Sequence, residues 1–424
     1  MADIVGPAIS TANWRRKSFW SLFCRLSAAA LSFVVNLLLV RCMSKADVGF
    51  FFWSLSVCSG AAVVSQWGGT FLAVKWIATA QAHCDLRSVA SAVRSLLAFT
   101  FIHFWFLLPL LFFARVTIDV AIIWAMLIFS LSFQNLIPEM VRGLDDIKWA
   151  SLLSGPVPQL VALVFLGGFW LVQGTLTFEL SASLVAGAGL IASLVGIVLL
   201  ANRITSPVRL RSYWAFLAEG TPIAFGVLAS YVLVQTDFWI CGALLGKEQL
   251  AVYGMAQRLV VFVSMPLMVL GAILTPTIAA LLAKGERTAL RNIVSRATLV
   301  TATTASIVLI LGAVVGRPAI ELLFGGGYRD AYHLFLILGA GQAFHALAGP
   351  NGYILLMAGE QRVVMWSTLV ATALLAVGGW IAGQIWGATG VAFTAAICLA
   401  IQTIWMGIAV RRRLGLIGHV HWKF

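Results

Sequence analysis

From Leu180 to Ala201 the chain runs without a single charged side chain, and comparable stretches recur from end to end. A helix rises about 1.5 Å per residue, so about 20 apolar residues cross a hydrocarbon layer of about 30 Å. Inside that layer every backbone N–H and C=O must find a partner within the protein, which leaves helices and closed barrels. The alternating apolar and polar residues of a barrel strand are absent. The runs are therefore read as helices, at 19–41, 48–74, 95–114, 118–138, 150–172 and 178–201. A second set falls at 213–242, 249–282, 293–324, 331–357, 363–383 and 387–410. The fold class is all-α integral membrane, with about twelve spans. The runs at 249–282 and 293–324 exceed one membrane thickness, so they tilt or continue beyond it. Composition agrees: 10% of the 424 residues are charged, against about 25% in soluble domains.

The formal net charge of +13 invites a nucleic-acid reading, but its placement argues for topology. With the N-terminus inside and the loops alternating, 20 of the 28 basic residues fall inside and six outside. The other two, Arg25 and Arg258, lie within spans. This is the positive-inside pattern, so both termini are expected in the cytoplasm and no nucleic-acid partner is expected. Arg15-Arg16-Lys17 before an apolar run looks like the start of a signal peptide, with Ser27-Ala28-Ala29-Ala30 as its cleavage site. The run continues to Val40, however, which favours an uncleaved first span. The six cysteines form no C-x-x-C pair and most lie in spans, so they are read as small core residues, with no metal site. No phosphate-binding G-x-x-x-x-G-K-[ST] motif occurs, so direct ATP hydrolysis and bound cofactors are not expected.

No loop is long enough for a soluble domain. The expected organisation is a cytoplasmic N-terminus (1–18), a six-helix lobe (19–201), a linker (202–212), a second six-helix lobe (213–410) and a basic tail (411–424). The bend Ser44-Lys45-Ala46-Asp47-Val48-Gly49 after the first span resembles Gly246-Lys247-Glu248-Gln249-Leu250-Ala251 after the seventh, 202 positions on. Coincidence of two helix-turn patterns is the alternative to a true repeat; parallel repeats of this kind are a transporter architecture. Gly155-Pro156-Val157-Pro158, Pro222, Pro266, Pro276 and Gly349-Pro350-Asn351-Gly352 fall within spans and mark bends.

Asp237, Gly246, Tyr253, Ala256 and Arg258 form an Asp…Gly…Tyr-x-x-Ala-x-basic series. Pro276 to Glu286, Phe324-Gly-Gly-Gly-Tyr328-Arg-Asp-Ala331 and Trp386-Gly-Ala-Thr-Gly390-Val-Ala392 follow in order. This series resembles the polysaccharide-transporter, or O-antigen flippase, family of the multidrug/oligosaccharidyl-lipid/polysaccharide exporter superfamily. Val48-Gly49 is a looser match to that family's Tyr-Gly pair. The resemblance implies two six-helix bundles around a central cavity open to each side in turn. It implies a substrate of polyprenyl pyrophosphate bearing an oligosaccharide, moved across a bacterial inner membrane, with polysaccharide polymerase and chain-length machinery as further partners.

Asp237 lies ten residues before Lys247 and Arg258 eleven after it, so both sit about 15 Å below the bend on adjacent helices. An isolated charge there costs at least about 2.5–3.5 kcal/mol, and an Asp237–Arg258 ion pair is expected to offset it, as a static lock or as a gate or coupling site, the remaining alternative being that the two make no contact. Arg25 either snorkels to the cytoplasmic face or offers its guanidinium to a pyrophosphate. Lys75, Arg94 and Arg296, with Arg87, Lys284 and Arg291, either funnel an anionic headgroup or only set topology. Asn135, Gln235 and His345 are candidates to line a wet cavity for sugar; His103, Gln134, Glu139 and Asn351 share that reading. Each is otherwise a helix–helix hydrogen bond worth roughly 0.6 kcal/mol. Proton or sodium antiport is the expected drive, with Asp237 and Glu219 as the acids. A drug exporter of the same superfamily is the alternative. A membrane-embedded polymerase or glycosyltransferase is a third reading, for which Asp145-Asp146 is the only adjacent acidic pair and a poor metal site.

Overall fold

The computed structural model describes residues 11–113, 116–201 and 210–415. Most of the expected linker at 202–212, the end of the basic tail, and Arg115, Arg203, Arg209 and Lys423 of the charge pattern lie outside these residues. The described chain is nearly all helix. Its first lobe-length of sequence holds α1 (Thr11–Cys42), α2 (Lys45–Gln66), α3 (Gly69–Ala82), α4 (Leu86–Phe113), α5 (Ile118–Gly143), α6 (Ile147–Leu153), α7 (Pro156–Gln173) and α8 (Phe178–Ala201). There follow α9 (Tyr213–Leu244), α10 (Lys247–Lys284), α11 (Arg287–Phe324), α12 (Ala331–Ala348), α13 (Asn351–Met357) and α14 (Gln361–Leu414).

Among the described residues, 11 helices are long and apolar enough to cross a membrane. α14 supplies two of the expected twelve spans, because its backbone breaks at Gly387 (φ 60°, ψ −143°). That positive φ is open to glycine and closed to β-branched residues. The two arms fold back antiparallel: Gln402 Nε2 donates to Thr368 Oγ1 at 3.0 Å, and Arg413 pairs with Glu360 at the far end.

Three expected spans are divided. Gly155-Pro156 separates α6 from α7 and Gly349-Pro350 separates α12 from α13, as the helix-breaking chemistry of proline predicts. The third break, between α2 and α3, comes from Trp67 (φ 43°) and Gly68 (φ 77°), consecutive left-handed residues inside the expected 48–74 run. α4 and α11 begin earlier than their apolar runs, at Leu86 and Arg287. Hydropathy marks only the part of a helix that suits hydrocarbon, and these helices carry Arg87, Arg94 and Arg291 on turns before it.

The described residues form two compact units. One holds the described residues of Met1–Met43 and Ser54–Leu228, the other those of Ser44–Trp53 and Ala229–Phe424. Thus α2 and α9 each contribute one part to each unit. The first unit has a core of Leu72, Ile77, Leu96, Leu136, Ile137, Met140, Leu153 and Phe216. In it α8 lays a stripe of small residues, among them Ala186, Gly189, Ser193 and Gly196, against α5. A Cβ on Gly189 would lie 2.3 Å from Ser130 Oγ, and one on Gly196 would lie 2.3 Å from Ile137 Cγ2. Without a hydrophobic force between helices in lipid, such close backbone approach is what holds them together. Ser130 Oγ adds a bond to the Ala186 carbonyl at 2.7 Å. The second unit has a core of Ile278, Leu290, Val294, Ile354, Leu355, Met406 and Val410. There α12 packs on α10, α11 and α14.

Candidate functional site

Among the described residues, the second unit buries one carboxylate. Asp237 on α9 is buried, and three donors converge on it. Tyr253 OH donates to Oδ2 at 2.8 Å, Gln257 Nε2 donates to Oδ2 at 3.0 Å, and the Phe238 N–H donates to Oδ1 at 2.8 Å. Tyr253 and Gln257 are four residues apart on α10, one helical turn, so both face α9. Tyr253 is itself fully buried.

The expected Asp237–Arg258 pair is replaced by these bonds. Arg258 follows Gln257, about 100° further around the helix, and so turns toward α2. Its guanidinium lies 3.3 Å from the centroid of the Phe52 ring, and Nη1 donates to the Gly254 carbonyl at 2.9 Å. A half-buried cation on an aromatic face gains about 1–2 kcal/mol, which offsets part of the insertion cost of the charge. Depth alone suggested the pair; azimuth decided against it. Gly254 lets Phe52 come this close, since a Cβ there would stand 2.7 Å from the Phe52 ring.

The first unit presents a different polar surface. Asn135, Glu139 and Arg142 occur at i, i+4 and i+7 along α5, with Asn135 exposed. Arg142 Nη1 lies 2.5 Å from Glu139 Oε1. Arg25 on α1 is exposed and close enough to act electrostatically on Glu139. The structure thus joins two expected cavity residues, Arg25 and Asn135, into one stripe through Glu139 and Arg142. The i, i+3 spacing of Arg142 from Glu139 is itself visible in the sequence.

Glu219 sits elsewhere from Asp237 and in a different role. Near the start of α9, its Oε2 accepts from Lys75 Nζ at 2.7 Å and from Trp76 Nε1 at 3.2 Å. The Arg211 guanidinium lies 4.5 Å from the Trp76 ring. Half-exposed and salt-bridged, Glu219 fastens α9 to α3, and Lys75 is engaged in the same contact. Just along α9, Trp67 Nε1 donates to Thr221 Oγ1 at 3.0 Å, and His103 Nε2 lies 2.7 Å from Tyr213 OH.

The remaining candidates are dispersed. Gln235 Nε2 donates to Tyr231 OH at 3.3 Å on its own helix, and His345 Nδ1 lies 2.7 Å from Thr403 Oγ1. Both fit local or helix–helix hydrogen bonding. Arg94 is half-buried on α4 and Arg296 is exposed on α11. Among the described residues, no three His, Cys, Asp or Glu side chains gather as a metal site would require.

A nearly all-helical chain whose described residues hold 11 helices long and apolar enough to cross a membrane, with glycine-permitted helix contacts, is a multi-pass membrane protein. The family described as polysaccharide biosynthesis protein matches residues 14–282, and the chain belongs to it. The MatE family also matches, over residues 222–381. No curated protein matches the chain. Among solved structures, an inward-facing multidrug resistance MATE family transporter of the MOP superfamily is similar with a TM-score of 0.72 and 14% identity, covering 91% of this chain and 94% of that one. Its outward-facing counterpart gives 0.64 and 16%, covering 94% and 95%. A MOP superfamily transporter from Pyrococcus furiosus, described as having reverse polarity of its binding pocket, gives 0.65 and 16% over the same shares. At these identities the likeness establishes the fold.

Proposed function

We propose that this protein is a flippase that moves a polyprenyl-pyrophosphate-linked oligosaccharide across the bacterial inner membrane by alternating access. The observation that carries the reading is the Arg25–Glu139–Arg142–Asn135 stripe in a chain of the polysaccharide biosynthesis family. Exposed polar groups along a membrane-length helix are costly against acyl chains, so the stripe requires water or a polar substrate beside it. Its two guanidiniums and one carboxylate leave net positive charge, suited to a pyrophosphate, and Asn135 one turn away offers donor and acceptor to sugar hydroxyls. The polyprenyl tail stays in the bilayer while the glycan passes. A proton or sodium gradient supplies the drive, with Asp237 as the coupling acid. The polymerase and chain-length machinery would receive the product on the far side.

The test is a vesicle assay with a fluorescent lipid-linked oligosaccharide, scored by the fraction reached by an impermeant reagent. Arg25→Gln should slow flipping about tenfold, the loss of about 1.4 kcal/mol from a charge-assisted phosphate contact, while Arg317→Gln should leave it unchanged. Equal rates for wild type and Arg25→Gln would remove the stripe from the substrate path. Transport persisting after both gradients are collapsed would remove the coupling.

The MatE match over 222–381 favours a second reading, a cation-coupled drug exporter. Drug susceptibility of a strain lacking the protein separates the two: a drug exporter alters it while surface polysaccharide remains, and a flippase does the reverse.

A further inference from the structure

The end of the α14 hairpin carries an open cleft of about 230 Å³, lined by Arg362, Val363, Trp366, Trp405 and Arg413. Two arms contribute to it: Arg362 and Trp366 from the first turns of α14, Trp405 and Arg413 from its last. Glu360 neutralises Arg413 through their ion pair. Arg362 is exposed and, among the described residues, its side chain has no hydrogen bond or ion pair. Arg411 and Arg412 add two more exposed cations on the same turn as Arg413. Among the described residues, the positive charge at this end therefore exceeds the negative charge paired with it.

Below the arginines the surface changes character. Trp366 and Trp405 are exposed, and Met365, Leu369, Ile401, Ile404 and Ile408 continue the exposed apolar face along both arms. Tryptophan collects where bilayer meets water, its ring in apolar surroundings and its N–H toward the headgroups. Guanidinium above indole above branched aliphatic side chains matches, layer for layer, phosphate above glycerol above acyl chain.

We propose that this cleft is a binding site for an anionic glycerophospholipid. Arg362 takes the phosphate as a fork of N–H donors, the Trp366 and Trp405 rings flank the glycerol, and the acyl chains lie along the outer face of the hairpin. The site is made of residues other than the Arg25–Glu139 stripe, since it belongs to the other compact unit. A resident lipid here would add to the contacts between the two arms of α14, which already include the Glu360–Arg413 pair and the Gln402–Thr368 bond.

Native mass spectrometry of the full chain in non-ionic detergent tests this, with phosphatidylglycerol and phosphatidylcholine of identical acyl chains as probes. Wild type should retain the anionic lipid in preference, and Arg362→Gln should reduce that preference about fivefold, as expected for one basic contact at a lipid surface. Arg362→Lys should keep most of it, and Arg317→Gln, removing a charge elsewhere in the same unit, should keep all of it. If Arg362→Gln elutes aggregated, Trp366→Leu is read in its place, with the same loss expected. Equal retention of the two lipids by wild type, or equal loss in Arg362→Gln and Arg317→Gln, overturns the proposal. So does displacement by inorganic phosphate alone, which would make the cleft a simple anion site, or preferential capture of a polyprenyl phosphate, which would assign it to the transported lipid.

Discussion

A methyl group added at Gly49 probes how α2 is held in the second unit. A Cβ there would lie 1.9 Å from the Lys247 carbonyl oxygen, 2.9 Å from its carbon and 3.1 Å from the Ala251 nitrogen. Carbon and oxygen settle no closer than about 3.3 Å, so α2 must retreat by about 1.4 Å. All three atoms are backbone in the first turns of α10, and no side-chain rotation relieves the clash. Overpacking of this kind costs about 1–3 kcal/mol, and unyielding backbone places Gly49→Ala at the upper end. The retreat also carries Phe52, one turn along α2, away from Arg258. Losing a desolvated contact with the ring face adds about 1–2 kcal/mol, for a total of about 4–5 kcal/mol. The assay is unfolding by SDS in mixed micelles, followed by far-UV circular dichroism. Gly168→Ala is the control, since nothing lies within 4 Å of a Cβ there, and it should shift stability by no more than about 0.5 kcal/mol. Coincident transitions for Gly49→Ala and Gly168→Ala would refute the packing argument.

Exchanging the charges of Asp237 and Arg258 together should fail to restore transport lost in either single variant, because the two side chains face different helices; recovery above half of wild-type flipping would reinstate the pair. Tyr253→Phe, which takes one donor from a buried carboxylate, should lower stability by about 1.5–3 kcal/mol in the SDS titration, and no change would show that the bond is not formed. A double-mutant cycle on Lys75 and Glu219 should give a coupling of only about 0.5 kcal/mol, since both side chains are substantially exposed; a value above about 2 kcal/mol would show that the pair is buried in use. At the start of α4, Ser88 Oγ and the Ser88 and Arg87 N–H groups donate to Asp85 and hold its carboxyl below the usual carboxylate range. A pKa lowered on folding contributes fully above the ordinary carboxylate value and is lost as pH falls through the lower folded one. Asp85→Ala should therefore speed amide exchange at Arg87 and Ser88 near neutral pH, and unchanged exchange there would exclude the cap.

Much of the fold was legible because lipid imposes a simple rule on the backbone. Apolar length located the spans, Gly-Pro pairs located two of the helix breaks, and the gap between the runs at 363–383 and 387–410 located the hairpin turn, where the Trp386 to Ala392 motif begins. Within that motif Gly387 takes the positive φ, and a Cβ on Gly390 would lie 2.2 Å from the Ala382 carbonyl. The break at Trp67-Gly68 escaped notice because tryptophan gives no signal for a left-handed conformation. It is held by tertiary contact instead: a Cβ on Gly68 would stand 2.7 Å from the Gly220 carbonyl, and Trp67 bonds Thr221. Neither partner is near in sequence.

The buried polar residues show the same limit more sharply. Counting residues from a bend gives depth in the membrane, and Asp237 and Arg258 do lie at matching distances from Lys247 along their helices. Pairing also requires azimuth, and one residue of difference on α10 turns a side chain by about 100°. Gln257 therefore reaches Asp237 and Arg258 reaches Phe52. The information was present as the Tyr253–Gln257 spacing of four, which puts two hydrogen-bond donors on one face. A carboxylate served by two neutral donors and its neighbour's N–H needs no cation, so the arginine is released to satisfy itself on an aromatic ring. Asp237 and Arg258 are thus held by separate partners within the same three-helix junction, and a substitution at either one should be felt first through its own partner: Tyr253 for the acid, Phe52 for the base.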